Sequence, residues 1–278
     1  MVSTIIISVI CGFGVGILSG LLGIGGGMVV IPLLRLGFGL DGLIAAGTSL
    51  FSIFFTSVSG SIGRMRSKTV NLKVGALVGI GGVAFSPIGS WLSEMAGGTA
   101  AMLAAAIVIG YTAIVMIRKG AKLPGKNGTP SPIENGITPA GPGGEPAFTS
   151  VHSLEMTTRT IGLLLATGAI SGLASGFIGV GGGFIIVPLL MTFFNLSMKD
   201  ASGTSLVALS LLAIPGFISH GFFGHVDWIK GIAIAAGSIP GAQLGASLVK
   251  RVPEKTLRIL FGILLLAIAV SLVVKEFV

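Results

Sequence analysis

Glycine, threonine and serine are the residues whose spacing could do chemistry in this sequence. Two clusters, residues 23–27 and 179–183, each place three consecutive glycines inside an apolar stretch: Gly25, Gly26 and Gly27, then Gly181, Gly182 and Gly183. Consecutive glycines break a helix and free backbone N–H groups, which in hydrocarbon must line a cavity or be buried in protein. The stretches that follow, 28–40 and 184–196, are apolar and about 13 residues long, roughly 20 Å of helix against a ~30 Å hydrocarbon core. They read as half-helices that begin in mid-membrane. Their N-termini would present unpaired N–H groups and about half a positive charge, which holds an anion without a cationic side chain. Close helix packing is the competing use of the same glycines.

A Gly-Thr-Ser triplet follows each cluster. Thr48 and Ser49, with Thr204 and Ser205, stand near the start of the next helix in each half, where their hydroxyls could donate to an anion or bond back to their own helix carbonyls. Gln243 is the one amide well inside an apolar segment, and either bonds a neighbouring helix or touches substrate. Asn71 and Asp227 precede equivalent segments and read as N-caps, with Trp228 as an interfacial anchor. The nine acidic residues occupy loops, rims or segment ends, so no carboxylate relay across the membrane is supported. His220 and His225 lie near a helix end. No Lys-Ser/Thr pair follows the glycines as a P-loop requires, and no residue cluster suggests a metal or a nucleophile with its base. No cofactor or metal is expected, and no enzyme.

The elements that must position these residues are membrane helices. The chain has 278 residues, 52% of them hydrophobic and 9% charged, with mean hydropathy +1.01; soluble domains carry about 25% charged residues. Apolar segments fall at 3–39, 43–62, 74–93 and 99–117, then at 160–195, 201–219, 229–249 and 257–275. The first segment is expected to be retained, not cleaved as a signal peptide. The net charge of +8 resides in short inter-helix loops, which gives no basis for a nucleic-acid partner.

A shift of 156 positions lays residues 20–50 over 176–206 without a gap, with fifteen of 31 pairs identical. The expected organisation is a membrane repeat at 1–117, a flexible cytoplasmic linker at 118–158 rich in Pro, Gly, Ser and Thr, and a second repeat at 159–278. If each glycine segment crosses once, the 17 basic residues divide 11 against 6. If each turns back, they divide 14 against 3, which the positive-inside rule prefers. The turn-back reading makes the protein all-α, with two repeats of inverted topology, each a Gly-interrupted broken or re-entrant segment followed by three transmembrane helices. Both termini then face outside.

The duplicated G-x-G-G-G-x(4)-P-L-L, the Gly-Thr-Ser after it, and Val226-Asp227-Trp228 opening a glycine-rich helix resemble the TauE/SafE sulfite exporter family of permeases. The likeness covers both membrane halves and leaves out the linker. In the first half Asn71-Leu72 stands where Asp-Trp would, so no shared role is carried over for that pair. The resemblance implies transport of sulfite, thiosulfate or a small organosulfonate across a prokaryotic plasma or inner membrane. Residues and resemblance together lead to a secondary transporter of a small anion, working by alternating access at the repeat interface, with a small anionic substrate and the lipid bilayer as partners. A homo-oligomer stays open and no coupling ion is assigned. An anion channel on the same dipoles, or a non-transporting scaffold, are the alternatives.

Overall fold

A computed structural model describes residues 2–121, 154 and 156–277. Eleven helices follow in chain order among them: α1 (Val2–Leu22), α2 (Gly27–Pro32), α3 (Gly42–Arg66), α4 (Leu72–Val83), α5 (Ser86–Ala96), α6 (Gly98–Ala121), α7 (Thr158–Ile178), α8 (Gly183–Phe193), α9 (Met198–Phe222), α10 (Trp228–Leu248) and α11 (Glu254–Phe277). Seven are long and apolar enough to cross a bilayer, and α4 and α5, bent by 43°, meet the same requirement as a pair, for up to eight spans. The expected linker at 118–158 lies mostly outside the described residues; α6 runs on to Ala121 and α7 starts at Thr158.

Burial is inside out relative to a soluble protein. Ile10, Ile80, Ile107 and Phe222 are exposed, while Ser49, Thr48, Ser205 and Thr204 are fully buried. Lipid favours that exterior, and hydroxyls turned inward find partners only in protein.

Glycines at every fourth position build the main contacts. On α1, a Cβ at Gly12, Gly16 or Gly20 would lie 2.1–2.4 Å from the carbonyl oxygens of Ile234, Ser238 and Ala242 on α10. The same spacing on α7 sets Gly168, Gly172 and Gly176 against the carbonyls of Val78, Gly82 and Ser86 on α4 and α5. Residues four apart share a helix face, so each stripe lets two backbones touch. The first helix of each half is thus packed on the third segment of the other, and the halves interlock.

The contacts also fix direction. Gly203, at the start of α9, lies against Thr69 just beyond α3, while Gly47, near the start of α3, lies against His220 and His225 at the end of α9. The helices α3 and α9 therefore cross antiparallel at the centre. By the register of their stripes α1 and α10 run parallel, as do α7 and the α4–α5 pair.

The two glycine-interrupted segments are broken as expected, and one further segment differs in detail. Residues 3–39 and 160–195 each form a full-length helix followed by a short one, α2 continuing through a π turn at Leu33–Gly37. Pro32 precedes that turn, but its counterpart Pro188 sits inside α8 with no π turn, so the proline alone does not account for it. Segment 74–93 is broken where α10 is continuous. Phe85 occupies the stripe position equivalent to Gly241, and Pro87 opens the next helix; a phenylalanine cannot allow the backbone approach that Gly241 makes to Phe13.

Candidate functional site

Each glycine cluster is a hinge between a long and a short helix. Gly23, Gly25 and Gly26 have φ of +75°, +72° and +84°, and Gly179, Gly181 and Gly182 repeat this with +76°, +90° and +64°. Only glycine takes such angles without strain. Gly23 N–H donates to Ser19 O at 2.7 Å and Gly179 N–H to Ser175 O at 2.8 Å, closing the long helices. Gly26 and Gly182 then cap the short helices, their carbonyls accepting from Val29 and Val30, and from Ile185 and Ile186.

The two hinges meet. A Cβ on Gly27 would lie 2.6 Å from Val180 O, and one on Gly183 would lie 3.0 Å from Ile24 Cα. Two apolar side chains at equivalent positions, Ile53 on α3 and Leu209 on α9, fill the angle between them. Both crowd Gly25, Ile53 also packs on Gly27 and Gly181, and Leu209 on Gly183. Both glycine clusters, Ile53 and Leu209 are buried in this conformation. A recess of about 230 Å³ lies elsewhere, between α1 and the start of α10, lined by Ser8, Asp227 and Lys230 among others.

The Gly-Thr-Ser triplets fasten the crossing. Gly47 and Gly203 lie where a Cβ would come within 2.0 Å of His225 O and 2.1 Å of Thr69 O, so the entry loop of the opposite half passes in contact. Thr48 Oγ1 accepts from Asp227 N–H at 2.8 Å, and Thr204 Oγ1 from Asn71 N–H at 3.2 Å. Ser49 Oγ donates to Gly27 O at 3.3 Å, and Ser205 Oγ to Gly23 O at 2.6 Å. Each triplet thereby ties the other half's third segment to a glycine hinge. Asn71 and Asp227 cap as expected, accepting from Lys73 and Val74 and from Lys230. Partial burial pushes the Asp227 carboxyl up, but the hydrogen bonds and charge of Lys230 outweigh it and hold the group below its ordinary value. Gln243 stands apart from the hinges, half-buried on α10 beside Gly63 near the end of α3.

Three of the buried polar atoms that lack partners lie in the long helices that lead into the hinges. Ser19, Ser171 and Ser175 have hydroxyl oxygens with no hydrogen-bond partner among the described residues. A Cβ at Gly26 would sit 3.7 Å from that of Ser19, and one at Gly182 would sit 3.4 Å from that of Ser171. Such atoms are uncommon in folded proteins, and each calls for an explanation.

Arg64 and His220 were not singled out from sequence as part of this site. The sequence places Arg64 among loop cations, yet it belongs to the last turn of α3 and is fully buried. Its Nη2 donates to Ser202 Oγ and, at 3.4 Å, to Leu21 O at the end of α1. The shift that aligns the hinges carries Arg64 onto His220, also buried, whose Nε2 lies 3.2 Å from Gly176 O. Extending the repeat past residue 50 pairs them; without burial the pairing says nothing.

Fold and site define a polytopic helical membrane protein built round two hinged helices that meet at its centre. The chain belongs to the TauE/SafE family: the family description "Sulfite exporter TauE/SafE" matches residues 8–272. It is similar to the probable membrane transporter protein YunE of Bacillus subtilis, 28% identical with 96% of this chain and 97% of the relative covered. A second Bacillus subtilis relative, the probable membrane transporter protein YdhB, is 27% identical over 88% of this chain and 91% of its own. The probable membrane transporter protein MJ0441 of Methanocaldococcus jannaschii is 28% identical over 92% of this chain and 91% of its own. No solved structure matches. Family and relatives point to a membrane transporter, not an enzyme.

Proposed function

We propose that the protein is a secondary transporter of a small sulfur oxyanion or organosulfonate, with sulfite the first candidate from the family's name. Substrate would sit at the paired hinges, among residues 25–27 and 181–183, Ser49 and Ser205, and the two halves would rock as inverted repeats to expose it in turn. Thr48 and Thr204 would steady the site by fastening the halves. The observation that carries this reading is the meeting of the two hinges, Gly27 against Val180 and Gly183 against Ile24. The partnerless hydroxyls of Ser19, Ser171 and Ser175 support it, since an anion with several acceptor oxygens would satisfy them. The antiparallel crossing of α3 and α9 supports inversion.

Ile53 and Leu209 favour a carrier over a channel. They seal the crossing, so substrate passes only when the halves move, as alternating access requires. The test is uptake of labelled sulfite by proteoliposomes, with thiosulfate, sulfoacetate and acetate as competitors and a parallel bilayer recording. Saturable flux, competed by the sulfur anions and without unitary currents, is the expected result. Absence of flux for every sulfur anion, or single-channel conductance, overturns the reading.

A further inference from the structure

A buried guanidinium in a membrane bundle is a functional hypothesis by default, because taking a charge out of water is costly unless it is paired and fully hydrogen-bonded. Arg64 is fully buried and only one edge of it is engaged. Its Nη2 reaches Ser202 Oγ and Leu21 O, while Nε and Nη1 have no hydrogen-bond partner among the described residues. Ser202 cannot neutralise it, since that hydroxyl accepts from Arg64 and donates to Lys199 O. Asp200, one turn into α9, is the carboxylate whose charge reaches it.

Position adds a second argument. Leu21 is the penultimate residue of α1, and Ser202 is where a Cβ on Gly23 would collide, 2.1 Å from the Ser202 carbonyl oxygen. Arg64 therefore sits directly under the first hinge. His220 holds the equivalent place under the second, with Nε2 on Gly176 O and Nδ1 likewise without a partner. Two buried basic side chains thus flank the paired hinges, at opposite ends of the antiparallel α3 and α9.

We propose that Arg64 is an anion-binding residue at one end of the transport path, presenting its Nε and Nη1 hydrogens to two oxygens of an oxyanion, with His220 the weaker counterpart at the other end. The proposal rests on the anion-transport reading and deepens it. The planar fork of a guanidinium matches two oxygens of a sulfite, sulfonate or carboxylate group, which an ammonium cannot do. Arg64 is fully buried and joined to Leu21 on α1 and Ser202 on α9, so the anion would reach it when α1 and α9 part there. Asp200 opposes the anion electrostatically, which keeps binding weak enough for release.

The experiment measures binding apart from flux. Full-length protein purified in detergent is titrated with sulfite and with sulfate, and the anion-dependent rise in melting temperature gives an apparent affinity. Arg64→Gln is expected to weaken sulfite binding at least tenfold, Arg64→Lys to weaken it less while eluting as a monodisperse species, and Asp200→Asn to tighten it several-fold. A purely structural arginine would leave affinity unmoved by Asp200→Asn. Unchanged affinity in a monodisperse Arg64→Gln protein, or in Asp200→Asn should Arg64→Gln fail to fold, overturns the proposal, as does a wild-type protein that no anion stabilises. Binding without proteoliposome flux would instead refute the transport reading, while flux with these variants unaffected would refute only the role of Arg64.

Discussion

The glycine stripe on α1 and the glycine hinge at its end use one residue type for opposite purposes. Along the stripe, Gly12, Gly16 and Gly20 are helical, and each matters because a carbonyl of α10 occupies the space of a Cβ. At the hinge, Gly23, Gly25 and Gly26 matter first because their φ angles are positive. The stripe makes two helices inseparable, and the hinge makes one helix stop. The proposed rocking would need both, firm packing within each moving body and a permissive joint between them.

Substitutions separate the two uses. The largest effect is expected on the stripe. On α10, facing the α1 stripe, a Cβ at Gly237 would lie 2.0 Å from Val9 O and 2.9 Å from Phe13 N, both backbone atoms that cannot turn aside. Gly237→Val should part α1 from α10 and abolish recovery of monodisperse protein, read by size exclusion. If it elutes as wild type, the stripe is not what holds the halves.

At the hinge, Gly26→Ala meets a movable neighbour, Val15 Cγ1 at 2.8 Å, but must hold φ near +84°. An alanine there costs about 1–2 kcal/mol, so the protein should insert and purify while sulfite flux falls about tenfold or more. Equal loss of folding and flux would put this glycine with the stripe.

A smaller effect belongs to the cap at the start of α10. Asp227→Ala removes the bond to Lys230 N–H and should cost about 1 kcal/mol in thermal stability, with Asp227→Asn losing less because it keeps a capping oxygen. Because the folded carboxyl lies below its ordinary value, its contribution is complete above the unfolded pKa and is lost as pH falls through the lower folded one. Melting temperature should therefore show no Asp227-dependent change between pH 6 and 8, and the wild-type advantage over Asp227→Asn should shrink only in strong acid.

The smallest effect is expected where a helical glycine touches nothing. Gly162, on α7, has no atom within 4 Å of an added Cβ. Gly162→Ala should leave flux intact and gain about 0.5 kcal/mol. A marked loss of stability would show that the glycines of these helices are not sorted by contact.

Much of the architecture was legible in the chain because lipid imposes a simple rule: apolar length spells a span. The eight apolar segments, the hinges at 23–27 and 179–183, and the caps at Asn71 and Asp227 all follow from local composition and local backbone chemistry. The split of segment 74–93 was less visible, since Phe85 matters only against the stripe of a helix from the other half.

The Gly-Thr-Ser triplets mark the boundary between the two kinds of knowledge. Their recurrence was evident, but not that the hydroxyls of Thr48 and Thr204 accept the N–H of Asp227 and Asn71. Those partners lie 179 and 133 positions away. By itself the sequence determined that the chain is a duplicated membrane protein with two interrupted helices, because those properties depend on residue type and spacing alone. Only the tertiary structure decided that the hinges touch, that Ile53 and Leu209 pack against them, and that Arg64 is buried beneath one. Burial and contact depend on which distant segment comes to lie alongside, and no local pattern encodes that.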